Sequence, residues 1–575
     1  MTNEDIVELL DLSAKLMELH DGDPNKIKSY STAAYYLDKY NERPFSDMTE
    51  AELVKLQGVG KSIAARIREI VDTGTFPELS ELLEKTPEGV LEMFRIKGIG
   101  VKKIHTIWRE LGIESVYELE QACENGSVAK LKGFGGSTQQ KILESIAFLK
   151  NQRGKLRMDK ADYLAEKLKD VLRQYFENVE ISGTLRLGSE VIDKLEFLVG
   201  ADSPVDVQVK LNLIPELEAA PKISSPFIWR GRLRESGVAV EIRTVSTDRF
   251  RVELFLDSAG PDHLAKRTTG GLSLFQFASR GSFTDEADIY KEAGLPYVIP
   301  EMREGLAEWD WVGANQAEDL VTWDSLKGIL HNHSTYSDGR NTLEQMADYC
   351  RELGFEYLGI ADHSQSAAYA NGLTPDRIVL QWQEIDRLNA RYAAEGGEKP
   401  FRIFKGIESD ILGDGSLDYP DEVLAGFDFV VASIHSNLTM SQEKAMDRLL
   451  KAIANPYTTI LGHPTGRLLL SRAGYPVDHK VIIDACAEHG VVIEINASPW
   501  RLDLDWRWIQ YCEEKGVMLS INPDAHETAG YLDMHYGVKI ARKGGLTGKS
   551  TFNALSAEEM ERWFAEKRER SGIMN

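Results

Sequence analysis

The spacing of apolar residues changes twice along the 575-residue chain. Over residues 1–150 apolar positions recur at i, i+3 and i+4, the rhythm of helices with one buried face. Near residue 158 a helical run (158–176) gives way to strand-like runs, including 195–199 and 240–243. From residue 327 short continuous apolar runs alternate with helical stretches. Seven such runs occur, beginning at Gly328, Tyr357, Ile403, Phe429, Thr459, Val491 and Val517. The pattern predicts a multidomain protein with a helical N-terminal region, a mixed α+β middle and an α/β C-terminal barrel of seven β/α units.

The residues at the end of each C-terminal run carry the chemistry. The runs lead in turn to His331-Asn332-His333, Asp362-His363, Glu408, His435, His463, Asn496 and Asp524-Ala525-His526. Six of the seven therefore deliver His, Asp or Glu. In a parallel barrel the C-terminal strand ends converge on one mouth, so these groups are expected in one site. Six histidines with carboxylates form a nitrogen and oxygen donor set that suits zinc, manganese or iron rather than calcium.

The N-terminal region repeats one turn three times: Leu56-Gln57-Gly58-Val59-Gly60-Lys61, Ile96-Lys97-Gly98-Ile99-Gly100-Val101-Lys102-Lys103 and Leu131-Lys132-Gly133-Phe134-Gly135. Each is a Gly-apolar-Gly turn followed by a helix. Glycine permits left-handed backbone and close approach by a partner. The free N–H groups of the next helix then make an anion-binding end.

Taken as a total, the charge argues against a nucleic-acid partner. The formal net charge is −24, and phosphate binding needs concentrated positive charge. The distribution changes that reading. Residues 1–55 carry 6 basic against 12 acidic residues, whereas residues 91–157 carry 12 against 7. A basic island built around Lys97, Lys102, Lys103, Lys132 and Lys141 thus sits inside an acidic chain. No apolar stretch is long enough to span a membrane. The acidic start lacks the regions of a signal peptide, and the spacing of the four cysteines fits a reducing, cytoplasmic setting.

The three repeated turns resemble helix-hairpin-helix motifs, which grip the DNA backbone without reading sequence. That resemblance assigns DNA contact to Gly58, Gly60, Lys61, Gly98, Gly100, Lys102, Lys103, Gly133 and Gly135. The stretch Ile181-Ser182-Gly183-Thr184-Leu185-Arg186, together with Lys194–Val199, resembles the palm of family X DNA polymerases. That family has Gly-Ser and Arg, then Asp-x-Asp on one strand and a third Asp on another. Here Gly183, Thr184 and Arg186 hold the first places, Lys194 and Glu196 the Asp-x-Asp places, and Glu241 the third. Two-metal phosphoryl transfer needs clustered carboxylates, and an ammonium at Lys194 would sit where a cation belongs. The departure argues against nucleotide addition and against Mg²⁺ at this palm. Arg66 takes the place of the family's Schiff-base lysine, and a guanidinium cannot serve as an amine nucleophile.

Phe255–His263, Gly294–Tyr297 and Pro300–Glu304 resemble the ends of the family's thumb. The C-terminal 249 residues resemble a PHP (polymerase and histidinol phosphatase) domain, and together the chain resembles bacterial family X polymerases carrying one. The resemblance implies 1–80 as a first helical domain, 81–150 as a fingers-like domain, 151–258 as palm, 259–318 as thumb, 319–326 as linker and 327–575 as the PHP domain. It implies three divalent ions, manganese before zinc or iron. His331, His333, Glu408 and Asp524 would hold the first. Glu408, His435 and His463 would hold the second, and Asp338, His363 and His526 the third. Arg467 would hold a phosphate or else form a salt bridge, while Asp362, Asp410 and Glu494 read as supporting groups. The implied activity is 3′–5′ exonucleolytic cleavage of DNA. The alternatives are a weak gap-filling polymerase with the same nuclease, a non-catalytic DNA-end scaffold and a small-molecule phosphatase.

Overall fold

The computed structural model describes residues 2–40, 43–96, 98–152, 154–396 and 401–572. Lys97, one lysine of the basic island, lies outside them. The chain divides into two compact units, Met1–Arg153 and Gly154–Asn575, parting within the polar stretch 151–157. Among the described residues no helix is long and apolar enough to cross a membrane.

The first unit is helical. Its core takes one face of each helix, as in Ile63, Ile67 and Ile70 of the helix Lys61–Thr73 and Ile104, Ile107 and Trp108 of the helix Val101–Leu111. The three repeated turns have a common logic. Gly58, Gly98 and Gly133 are left-handed, with φ of +78°, +88° and +86°. Val59 and Ile99 then drop into the core while the flanking glycines stay outside.

In the second unit the helix Met158–Arg173 packs on a five-stranded sheet. Its strands are β1 (Asn178–Ile181), β2 (Leu195–Gly200), β3 (Leu217–Ala219), β4 (Ile228–Leu233) and β5 (Ala239–Val245), in the order β1-β2-β5-β4-β3. β2 and β5 run parallel with Glu196 opposite Glu241, and Arg230 of β4 faces Glu241 from the other side. Helices between Phe250 and Ala314 form a separate small core.

The barrel comes next in the chain as seven parallel strands: β6 (Gly328–Ile329), β7 (Tyr357–Ile360), β8 (Arg402–Asp410), β9 (Phe429–Ser433), β10 (Ile460–Leu461), β11 (Val492–Asn496) and β12 (Leu519–Asn522). Each pairs with its sequence neighbour, from β6 at one edge to β12 at the other. Beyond the two edges Asn332 bridges Ala525, and the His333 N–H donates to the Ala525 carbonyl at 2.8 Å. The barrel is thus nearly closed. Its strands are buried on both faces, which explains their continuous apolar runs. One detail departs from the sequence reading: Glu408 lies inside β8, which continues to Asp410, rather than after its end.

Candidate metal centre

All nine ligand candidates come together at the C-terminal mouth of the barrel. Glu408 is fully buried at the centre. One of its oxygens lies 3.1 Å from His463 Nε2 and 3.2 Å from the Nε2 atoms of His331 and His435; the other lies 2.8 Å from His363 Nδ1. Asp524 Oδ1 lies 3.0 Å from His333 Nε2 and 3.6 Å from His331 Nε2. Asp338 stands 3.4 Å from His526 and 3.7 Å from His363. His331, His333 and Asp524 group together, and so do Asp338, His363 and His526, with His333 as a further member of the latter. His435 and His463 each group with Glu408 but not with one another.

The local backbone is held for this purpose. His331, His463 and Asp524 adopt φ of +57°, +22° and +54°, a region that costs energy for residues other than glycine. Supporting groups fix the ring orientations. His331 Nδ1 sits 2.6 Å from Glu494, His435 Nδ1 2.5 Å from Asp410, and His526 Nδ1 2.9 Å from the Asp524 carbonyl. With Nδ1 committed, each ring turns Nε2 towards the acidic centre. Glu494 also accepts from the His463 N–H at 2.7 Å. Asp362 braces the loop instead, accepting from Ser334, Ser337 and Gln381.

The donor set fits metal ions. Buried atoms with neither a hydrogen-bond nor an ion-pair partner include His333 Nδ1 and His463 Nδ1. Such orphaned donors and acceptors are costly unless something else satisfies them. Burial opposes ionisation of Glu408, yet the surrounding His435, His331 and His363 hold its carboxyl well below the ordinary range. Burial, with His526 and His363 nearby, pushes His333 down to about 3, so it is neutral and ready to ligate. Burial also opposes charge on His435, but Glu408 and Asp410 lift it to about 10. The carboxylates favour protons on His331, His435 and His526, which a divalent ion would replace.

Arg467 does not meet the phosphate-holding expectation. Its guanidinium donates to Glu190 at 3.0 Å, Asp505 at 3.1 Å and the carbonyls of Arg501 and Leu502. Those partners consume its donors and tie the middle region to the barrel. The arginine that sequence reading missed is Arg501, whose Nε lies 3.4 Å from Asp524 Oδ2 beside the mouth. No local signal separates the two arginines; the chain's return after β11 decides which one reaches the ligands.

The middle sheet brings its predicted residues together differently. Lys194 Nζ lies 2.8 Å from Glu241 and 2.9 Å from Glu196. Arg230 adds a second cation, 2.5 Å from Glu241. Glu196 Oε2 accepts from the Thr184 N–H at 3.2 Å, and a Cβ on Gly183 would meet that oxygen at 2.0 Å. Arg186 pairs with Glu286 at 2.8 Å. Asp193 points away and is exposed, near Lys155. In the first unit Arg66 is committed to Glu69 and Glu78.

The repeated turns leave open space. At Gly60, Gly98, Gly100, Gly133 and Gly135 an added Cβ would touch nothing within 4 Å. Gly60 and Gly100 have ordinary φ of −86° and −87°, so neither strain nor internal packing requires glycine there. Neither glycine supplies a side-chain cap, and the first N–H groups of both helices face outward uncapped. Lys61, Lys102, Lys132 and Lys141 are exposed beside these turns, while Lys103 lies over the Phe134 ring.

Hairpin repeats and a metal-ligand barrel define a protein of the PHP class joined to helix-hairpin-helix domains. Residues 1–76 match the helix-hairpin-helix domain family, 90–147 the SAM-like helix-hairpin-helix tandem and 330–498 the PHP domain. The chain is 34% identical over 574 residues to the DNA polymerase/3′-5′ exonuclease PolX of Bacillus subtilis (strain 168), covering 98% of this chain and 99% of that protein. It belongs to the PolX family. A probable phosphatase of Thermoanaerobacter sp. (strain X514) is 27% identical over 260 residues, 43% of this chain and 98% of that protein. A probable phosphatase of Caldicellulosiruptor saccharolyticus is 27% identical over 196 residues, 32% of this chain and 74% of the relative.

Proposed function

We propose that this protein shortens DNA strands from their 3′ ends by metal-dependent phosphodiester hydrolysis in the barrel, and that its middle sheet does not add nucleotides. The observation that carries the first part is the convergence of nine His, Asp and Glu side chains with orphaned buried atoms among them. Three divalent ions are assigned, in sets of four, three and three residues of which the first two share Glu408, with manganese as first choice. Such ions supply a water acidic enough to attack at neutral pH and offset phosphate charge. The chain's own contribution is preorganisation. Glu494 and Asp410 aim His331 and His435, the left-handed residues fix the ligand positions, and Arg501 offers a guanidinium to a phosphate oxygen. The hairpin turns hold the DNA backbone through uncapped N–H groups and lysines.

The second part rests on Lys194. Its ammonium already neutralises both glutamates at the positions where ions would be needed. Glu196 accepts from the Thr184 N–H and hydroxyl, and Glu286 pairs with Arg186, so these groups suited to a triphosphate are engaged within the protein.

One gel tests both parts. A 3′-terminated primer on a gapped template is incubated with Mn²⁺, with and without nucleotides. Shortening that disappears in His333→Ala is expected, with no extension. Extension that is lost in Glu241→Ala would overturn the second part. Phosphate release from a small monoester without strand shortening would favour a phosphatase instead.

A further inference from the structure

The loop after β7 carries an exposed aromatic ring on a backbone held at every side. Tyr369 is 66% exposed, although its neighbours Ala367 and Ala370 are fully buried. The loop ends meet where Ser364 bridges Leu373, and the Leu373 N–H donates to the His363 carbonyl at 2.8 Å. Asp418 accepts from the Ser366 N–H at 2.6 Å, and Asp410, which orients His435, accepts from the Ser366 hydroxyl at 3.0 Å. Gly372 is packed so closely that a Cβ would fall 1.9 Å from the Ser364 carbonyl oxygen. Exposed tyrosines on mobile loops need no explanation; a rigidly braced one beside a ligand cluster does.

The ring lies beside one ligand candidate at the mouth. Its centroid is 6.1 Å from that of the ligand candidate His363. Arg501, whose Nε lies 3.4 Å from Asp524 Oδ2, stands at the same ligand cluster. A phosphate over the ligand cluster would thus have within reach both a guanidinium, near Asp524, and a flat aromatic surface, near His363. A nucleotide offers a charged phosphate and a flat base in the same way.

We propose that Tyr369 is the base-stacking platform for the 3′-terminal nucleotide, so that the site engages any base-bearing end without reading its sequence. Every base has a π-face, and stacking on an aromatic side chain is tolerant of base identity. The proposal rests on the nuclease reading above. It makes Tyr369 a specificity-determining residue and gives its hydroxyl no chemical step.

The test uses the full chain with Mn²⁺ and two short labelled single strands, identical except that one ends in an abasic 3′ residue. Wild type is expected to cleave the base-bearing end with kcat/KM about tenfold higher than the abasic end. Tyr369→Ala should lose that preference, chiefly through KM on the base-bearing strand, and leave the abasic rate unchanged. Tyr369→Phe should keep it. A preference that survives Tyr369→Ala overturns the proposal, as does a Phe variant that falls to the Ala level. Wild type that cleaves neither strand overturns the nuclease reading itself. Wild type that cleaves both ends equally leaves that reading standing and removes only the stacking platform.

Discussion

At the residue scale the site depends on groups that would never touch an ion. Glu494 illustrates this: one oxygen orients His331, the other receives the His463 N–H, and two asparagines complete its shell. Replacement by Gln keeps the size but removes the charge that stabilises the ring orientation. Such supporting partners contribute about 10–100-fold in metal affinity. Glu494→Gln should therefore weaken Mn²⁺ binding by about that factor in a calorimetric titration, with the folded content unchanged by circular dichroism. Unchanged affinity would remove Glu494 from the supporting role. A second residue-scale prediction concerns Asp533. Burial first, then the neighbouring Asp159, raises its carboxyl from 3.8 to about 7. Between about pH 4 and 7 the folded state then holds a proton that the unfolded chain has released, so stability falls as pH rises through that window. Asp533→Asn has no such proton to lose. It should be more stable than wild type at pH 8, by about 2 kcal/mol, and nearly equal to it at pH 4. Thermal melts of both proteins at the two pH values check the sign. Eight of the nine ligand candidates are legible from strand ends, which impose position, whereas Asp338 comes only from the family resemblance. The roles of Arg467 and Arg501 were not legible, because Glu190, which claims Arg467, lies 277 residues away in sequence.

At the element scale the barrel strands and the repeated turns were both readable, for different reasons. The strands are buried on both faces, so each is an unbroken apolar run, although β8 extends past Glu408 and β11 includes Asn496. The turns are readable because a left-handed glycine precedes each apolar residue, Val59 and Ile99 buried and Phe134 half-buried. The pairing partners in the middle sheet were not readable. That Glu196 stands opposite Glu241 depends on β2 and β5 becoming neighbours across two intervening strands. The glycines of the turns give the sharper prediction. Gly100 sits in ordinary backbone with open space around its Cα. Gly100→Ala should therefore leave the thermal midpoint of the protein unchanged, within about 0.5 kcal/mol. It should nevertheless weaken DNA binding several-fold, because the methyl group occupies the approach to the helix N-terminus. Fluorescence anisotropy with a labelled duplex measures this. Full affinity in the variant would mean that the open space serves no backbone contact.

At the scale of the whole second unit, the barrel and the middle region are welded by ionic contacts. Arg467 joins Glu190, Lys539 joins Asp162 at 3.2 Å, and Lys543, almost fully buried, donates to the carbonyls of Leu187 and Glu301 and to Glu304. The Trp311 indole adds a bond to the Gly545 carbonyl at 2.7 Å. The middle region thus has a mechanical use, as a fixed flank of the barrel. Arg467 separates this account from the phosphate-holding one. Removing it strands Glu190 and Asp505, a loss of about 2–4 kcal/mol for a largely buried network. Arg467→Ala should lower the thermal midpoint by several degrees while a short labelled strand is cut with unchanged kcat. A phosphate-holding arginine predicts the reverse, a large fall in kcat with an unchanged melt, because nothing in the fold would then depend on it.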